Sequence, residues 1–456
     1  MAEVVPSDRV HEAERQVDIT YQIRPGKRVY VRRIEITGNC TTQDEVLRRE
    51  LPQMEGTRIS TTLIKEGKEK ILQRGYAKDI EIEMLPVPGT PDQVDVLYKI
   101  EEARLSQISA GLGYSASEQI MLNFAIRQEN FLGTGKIVDF TVDVSKASTS
   151  LAFGYQDPYF TVDGIGMGVS AYYNKSHLST TTKISDYVVD TYGADLRFAF
   201  PLGRYDAFNA GIGYDYTHLK LDKGSALELV NFTQRYGTKF PEAYVDVGWH
   251  YKNLNQRIFP TCGMSHGIGL KAVLPGAKLT YYRATYEFAW YHPLSADERW
   301  VVNVNSALGF GNGYGRTPVM PFYRNFFAGG SRFVRGFAEN SLGPKDSVSR
   351  AFGGNALAAG TLALIFPNPI KPDAKSIRTA LFLDAGQVYD TRNQLEVING
   401  TTINHKSNGF RYSAGVSVSW NSPFGLLTVS LAQPLNAKPG DSKQPFTFSV
   451  GTSTNF

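Results

Sequence analysis

The sequence predicts a membrane all-β fold: a 16-stranded transmembrane antiparallel β-barrel with a small α/β domain in front of it. Three observations carry that prediction. From about Leu105 onward, apolar and polar residues alternate in runs that recur about every 20 residues, and about sixteen such runs fit before the end of the chain, the even number that single-chain bacterial barrels use. The apolar faces of these runs place aromatics near the strand ends, as interfacial girdles do, while the opposite faces hold small polar or charged residues. The composition agrees: 456 residues are 42% hydrophobic and 12% aromatic, mainly 25 Tyr and 26 Phe, with 43 Gly, which is strand chemistry. No run of about 18 apolar residues exists, so no transmembrane helix can be drawn. A barrel strand is apolar only at alternate positions and escapes that criterion.

Taken in order, the chain opens M-A-E-V-V-P-S-D, without a charged-then-apolar secretory signal. Either the signal has been removed or the chain begins inside a longer parent. Residues 1–18 are expected to be the remnant or tail of a preceding domain, and 19–103 an α/β domain. Arg28–Thr37 reads as a strand ended by Gly38-Asn39. Thr42, with Glu45 three residues on, has capping-box spacing for a helix running to Glu50, where Pro52 stops it. A second helix over Thr61–Arg74 puts Leu63, Gly67 and Ile71 on one face and ends at Gly75. Strands follow at Ala77–Leu85 and Val94–Ile100. Charge is high and aromatics are few here, the balance of a water-soluble domain.

Residues 104–456 form the predicted barrel. Ile120, Leu122, Phe124 and Ile126 share one face of a strand, and Phe410, Tyr412, Ala414, Val416, Val418 and Trp420 share one face of another. The first strand, about Ser106–Tyr114, includes Ser109, Gly111 and Gly113, a composition that pairs weakly. The last, Phe446–Phe456, carries Phe446, Phe448, Val450, Thr452, Thr454 and Phe456 on one face and Ser449, Gly451 and Ser453 on the other. In Ile377–Tyr389, alternation sends Arg378, Ala380, Asp384 and Gly386 to the face opposite Leu381 and Leu383, so Asp384 is expected to face the lumen. Between strand-like runs at Trp300–Leu308 and Ala356–Phe366 lies a long glycine-rich segment, about 311–352. Its Phe333, Val334 and Phe337 are poor choices for disorder. Sixteen strands enclose a lumen too wide for side chains alone to fill, and this segment is suited to plug it.

Other chemistries are excluded on the residues. The net charge of +4 is small for the length, giving no case for nucleic acid. Cys40 and Cys262 stand far apart in different predicted domains, so neither a disulfide framework nor a thiolate metal site is expected. G-M-S-H-G at 263–267 matches a hydrolase elbow in letters only, because it follows a turn and opens an alternating strand. The glycine pairs Gly111/Gly113 and Gly211/Gly213 precede no helix and are not phosphate loops. The seven histidines show no zinc-ligand spacing. No catalytic residue, metal or cofactor is expected.

Several short motifs then carry a resemblance. They are Tyr30–Arg33 with G-N-x-x-T at 38–42, V-L-R-R-E at 46–50, Q-M-E-G at 53–56, P-D-Q-V-D-V at 91–96, N-F-L-G-T-G at 130–135, D-P-Y-F-T-V-D-G at 157–164, M-P-F-Y at 320–323 and A-G-G-S-x-x-V-R-G-F at 328–337. Over essentially its whole length the chain resembles the BamA family, the central subunits of the β-barrel assembly machinery of Gram-negative outer membranes. The resemblance implies that the first domain is a POTRA domain in the periplasm, the one adjoining the barrel, where the family usually carries five. It implies a plug-loop motif at Val334, Arg335, Gly336 and Phe337, with Arg335 turned into the lumen towards Asp384. Related sequences often add a second acidic residue on the preceding strand. Ala363 aligns there, so Arg335 is expected to have fewer partners. The implied activity is non-enzymatic insertion of β-barrel clients into outer-membrane lipid through a weak seam between the first and last strands, at Ser106, Ser109, Gly111 and Gly113 on one side and Ser449, Gly451, Ser453 and Phe456 on the other. Glu55 is expected to help dock a periplasmic lipoprotein of the BamD type. A superfamily transporter exporting a polypeptide through the lumen, or a passive porin, is the alternative.

Overall fold

A computed structural model describes residues 3–11, 16–24, 28–103, 106–115, 119–178, 185–222, 224–316, 320–369, 376–392, 395–398, 401–405, 407, 409–422 and 425–451. By its contacts the chain divides into two compact units, Met1–Ser106 with Gln128–Ile137, and Gln107–Arg127 with Val138–Phe456.

The first unit opens with a hairpin of β1 (Glu3–His11) and β2 (Gln16–Arg24), so the boundary expected at residue 18 falls inside a strand. Next come β3 (Tyr30–Thr37), α1 (Asp44–Arg48), α2 (Thr61–Gln73), β4 (Ala77–Pro86) and β5 (Gln93–Glu102). The three strands form one sheet in the order β3-β5-β4, with β3 parallel and β4 antiparallel to β5. Both helices bury one face on a core of Val31, Ile34, Val46, Leu47, Ile64, Ile71, Ile80, Val96 and Tyr98. Two details differ from the sequence reading. The capping box at Thr42 does not form: Gln43 is the N-cap of α1 without a side-chain cap. The Thr42 N–H instead donates to Glu102 Oε1 at 2.7 Å, a tertiary bond that a local motif cannot anticipate. In α2 the buried positions are Ile64, Gly67 and Ile71 rather than Leu63, and Ser60 caps the helix by accepting from the Leu63 N–H.

The turn of N-F-L-G-T-G also belongs to this unit. Gly133 has φ +76°, and a Cβ there would lie 2.1 Å from the Thr41 carbonyl oxygen, so only glycine fits. Its own carbonyl accepts from Gln43 N–H at 2.9 Å, and Asn130 Nδ2 donates to Thr42 Oγ1 at 2.9 Å.

The barrel contains β6 (Ser106–Ser115), β7 (Gln119–Phe131), β8 (Lys136–Ser145), β9 (Ser148–Asp157), β10 (Gly166–Leu178), β11 (Tyr187–Pro201) and β12 (Asp206–Leu221). After α3 (Leu227–Tyr236) it continues with β13 (Lys239–Lys252), β14 (Gly263–Val273), β15 (Tyr281–Pro293) and β16 (Val301–Gly313). A two-residue strand, β17 (Gly336–Phe337), lies in the plug loop and is followed by β18 (Ala356–Phe366) and β19 (Ile377–Tyr389). A small hairpin of β20 (Leu395–Ile398) and β21 (Thr401–Asn404) precedes β22 (Arg411–Ser422) and β23 (Gly425–Pro434), and the described residues end with the two-residue β24 (Lys443–Gln444) and β25 (Phe446–Gly451). Sixteen of these strands close into one barrel, with β25 beside β6. Alternation sets the two faces. Ile120, Leu122, Phe124 and Ile126 all point outward, between 40% and 63% exposed, the pattern of a lipid-facing wall. No helix among the described residues is long and apolar enough to cross a membrane. Ser265, in the motif that mimicked a hydrolase elbow, is an ordinary residue of β14.

Candidate functional site

The segment between β16 and β18, described at residues 314–316 and 320–355, folds back into the lumen as an ordered loop, slightly later than the predicted bounds. Val334 and Phe337 are fully buried. A Cβ on Gly386 of β19 would sit 2.7 Å from the Val334 side chain, so glycine on the inner wall lets the motif press close. Asp384, inward on the same strand, receives Arg335 in a fork: Nε donates to Oδ2 at 2.8 Å, Nη2 to Oδ1 at 2.7 Å, and the backbone N–H to Oδ2 at 3.0 Å. Two planar N–H···O bonds to one carboxylate are the strong arrangement for such a pair.

The absence of a second acid at Ala363 does not leave this pair underfurnished. Ala363 stands opposite Phe382, while Thr361 stands opposite Asp384. The Thr361 hydroxyl donates to Asp384 Oδ1 at 2.8 Å, and the Arg335 guanidinium lies over the Phe382 ring, 3.2 Å from its centroid. A small residue at 363 goes with a cation–π partner in place of a second carboxylate.

Gly336 and Phe337 pair, as β17, with Gln444 and Lys443 of β24. Gly336 has φ +88°, and a Cβ there would be 3.3 Å from Ala432 and Pro434. The loop motif is therefore hydrogen-bonded to the segment that leads directly into the last strand.

A second anchor of the loop went unread in the sequence. Arg324, next to the M-P-F-Y motif, meets three inner-wall side chains: Nη2 donates to Asp215 Oδ2 on β12 at 3.1 Å, the guanidinium lies 3.6 Å from Glu242 Oε2 on β13, and Nε donates to the Tyr281 hydroxyl on β15 at 3.1 Å. Tyr281 and Tyr323 each donate to Glu242, at 2.9 and 3.0 Å. Lys271 of β14 donates to Asp215 at 3.0 Å, and the Tyr172 hydroxyl also donates to it. Both carboxylates are 1% exposed. Charged residues at inward positions of neighbouring strands were the available signal, but nothing in the sequence pointed to their partner.

At the seam the register sets Ser449 opposite Ser115 and Val450 opposite Tyr114. Tyr114 and Phe448 approach with ring centroids 6.5 Å apart. Among the described residues Ser106, Ser109, Gly111 and Gly113 have no opposite number on β25. Ser109, six residues from Ser115, lies about 20 Å along the strand from the paired position, so it is not the cross-strand partner of Ser449. Ser453 and Phe456 lie outside the described residues.

In the first unit Glu55 is less free than a loop carboxylate would be. Its Oε1 accepts from the Ile34 N–H at 2.8 Å and lies 3.4 Å from Arg48, with the side chain 45% exposed. The bond satisfies a donor on β3 just past an irregularity in its pairing with β5. Glu102, which holds the Thr41 and Thr42 N–H groups, feels two opposed effects: desolvation pushes its carboxyl up, and those donors together pull it further down, leaving it below the usual glutamate value. Both cysteines are free and exposed, and no metal-binding cluster occurs among the described residues.

Residues 130–454 match the Omp85 superfamily domain, and residues 29–103 match the surface antigen variable number repeat, the POTRA module. The outer membrane protein assembly factor BamA of Neisseria meningitidis serogroup B is 34% identical over 96% of this chain and 58% of its own. The assembly factor of the same name from Nitratidesulfovibrio vulgaris is 24% identical over 99% of this chain and 54% of its own. The chain thus spans somewhat over half the length of these curated relatives. The crystal structure of BamA from Haemophilus ducreyi lacking POTRA domains 1–3 superposes with a TM-score of 0.85 at 31% identity, covering 99% of this chain and 89% of that one.

Proposed function

The chain belongs to the Omp85 superfamily, and from that premise we propose that it is a non-enzymatic insertase of the outer membrane, which folds β-barrel clients into lipid through the seam between β25 and β6, with its POTRA domain in the periplasm. The observation that carries this reading is the seam itself, where β25 meets β6 with Ser449 opposite Ser115 and Val450 opposite Tyr114 and where β6 carries Ser109, Gly111 and Gly113, residues that pair weakly. In hydrocarbon each unsatisfied backbone group costs several kcal/mol. A client strand laid along β6 would satisfy such groups by β-augmentation, with no chemical step. The ordered loop across the lumen favours lateral insertion over passive diffusion or export through the pore.

The partners follow from the same reading: outer-membrane lipid, nascent barrel clients, and a periplasmic lipoprotein of the BamD type at the face carrying Glu55. The Arg335–Asp384 pair would hold the plug in register with the wall.

Locking the seam tests the function. In a background with Cys40 and Cys262 replaced by Ser, the backbone partners Ser115→Cys and Ser449→Cys stand at cross-strand spacing, within disulfide reach. The protein is reconstituted in liposomes with an unfolded barrel client, and protease-protected folded client is scored. Oxidation should stop insertion and reduction restore it. Insertion by the oxidised, gel-shifted protein at the reduced rate would refute the seam as the route.

A further inference from the structure

We propose that Arg324 is a positioning residue for the seam: the plug loop is a brace across the lumen, anchored on the β12–β15 wall by Arg324 and on the approach to the last strand by Gly336 and Phe337. This rests on the seam reading above but makes a claim of its own, that a contact on the far wall sets how β25 meets β6.

The two ends are independent. At one, Arg324 is shared between Asp215, Glu242 and Tyr281, and Phe322 beside it packs edge-on against Tyr187 and Phe232 at 5.0 Å. At the other, Gly336 and Phe337 pair with Gln444 and Lys443, and the Ala338 N–H donates to Ser442 at 2.8 Å. Pro445 then donates no hydrogen bond but accepts one from Ala432 N–H at 2.8 Å, and β25 starts at the next residue. The span between the ends is cross-linked by backbone hydrogen bonds. Phe326 and Gly354 exchange them at 2.7 and 3.0 Å, Leu342 N–H donates to Ala328 at 3.0 Å, and Gly330 N–H donates to Phe337 at 3.1 Å. A segment so tied moves as one body, which gives a contiguous physical route for coupling. Release of Arg324 would let that body shift, and β24 with it, and the start of β25 would lose its fixed register against β6.

The test reads seam geometry rather than insertion. Oxidation of the Ser115→Cys/Ser449→Cys pair is timed in the full chain, alone and with Arg324→Ala, Arg324→Lys, or the isosteric pair Asp215→Asn/Glu242→Gln, each shown to be a folded barrel by heat-modifiable gel mobility. Arg324→Ala should slow cross-linking about tenfold, a coupling of ordinary size. Lysine, which keeps the charge and loses the fork, should restore part of the rate. The wall substitutions should reproduce the loss from the other side and stand in if Arg324→Ala does not fold. Cross-linking at the unsubstituted rate in a folded Arg324→Ala or wall variant would overturn the brace. If instead cross-linking slows as expected while an oxidised seam still inserts clients, the brace stands and the insertase reading falls.

Discussion

Replacing Asp384 with Ala is the sharpest perturbation of the plug. The Asp384 side chain is fully buried and that of Arg335 only 16% exposed, and the carboxylate accepts three bonds from Arg335 and one from Thr361. Its removal leaves a largely buried guanidinium without its counter-charge, a change that costs about 3–5 kcal/mol. If the loop opens and recloses faster than a protease cuts, cleavage follows the open population, so that cost raises the cutting rate by about two to four orders of magnitude. Limited trypsin digestion of the folded barrel, followed at Arg332, Arg335 and Lys345, measures it. Thr361→Val removes one neutral donor and should cost about 1 kcal/mol, which grades the response. Digestion of Asp384→Ala within about twofold of the parent, the span of an ordinary surface substitution, would show that the pair does not hold the loop.

Three further outcomes are expected. A Cβ at Gly111 would come no nearer than 3.8 Å to the Asn123 side chain, so Gly111→Val fits and should stiffen β6 by about 0.5–1 kcal/mol; the seam disulfide then forms faster and client insertion slows, and unchanged rates would show that this glycine does not set the weakness of the seam. Glu55→Gln keeps an acceptor for the Ile34 N–H while removing the charge, so loss of lipoprotein co-purification with an unchanged melting temperature would assign docking to the charge, whereas undiminished binding removes Glu55 from that face. Because the Glu102 carboxyl is held below its usual value, its contribution to stability is present above the unfolded glutamate value of about 4.3 and is lost as pH falls through the lower folded value; an acid titration of folding should show Glu102→Gln flattened in that window, and superimposable curves would refute the linkage.

What the sequence made legible follows from where each signal is written. The barrel is legible because lipid imposes a choice at every second residue, so Ile120 to Ile126 announce the wall and the same parity sends Asp384 inward. The plug was legible as an ordered loop because Phe333, Val334 and Phe337 have no place in solvent. Arg324 was not, since its acceptor Asp215 lies 109 residues away and only closure of the barrel brings them together. Thr42 failed as a cap for a related reason: Glu102, 60 residues on, takes its N–H. The bond from the Ile34 N–H to Glu55 was not legible either, because the irregularity in β3 just before it has no local sequence mark.

Serine and glycine content alone does not explain the seam either. Gly360 of β18 and Gly415 of β22 sit in strands with full ladders on both sides, so glycine is compatible with a closed wall. What distinguishes β6 is where its glycines fall in register. With Ser449 opposite Ser115 and Val450 opposite Tyr114, the next position would set Gly451 against Gly113, a pair with no side chain on either strand, and the described ladder stops just short of it. Cross-strand side-chain contacts contribute about 0.2–1 kcal/mol each, and this position offers none. The weak point is thus set by the alignment of two glycines across one ladder, and a client strand carrying an ordinary side chain opposite Gly113 would gain there what Gly451 cannot supply.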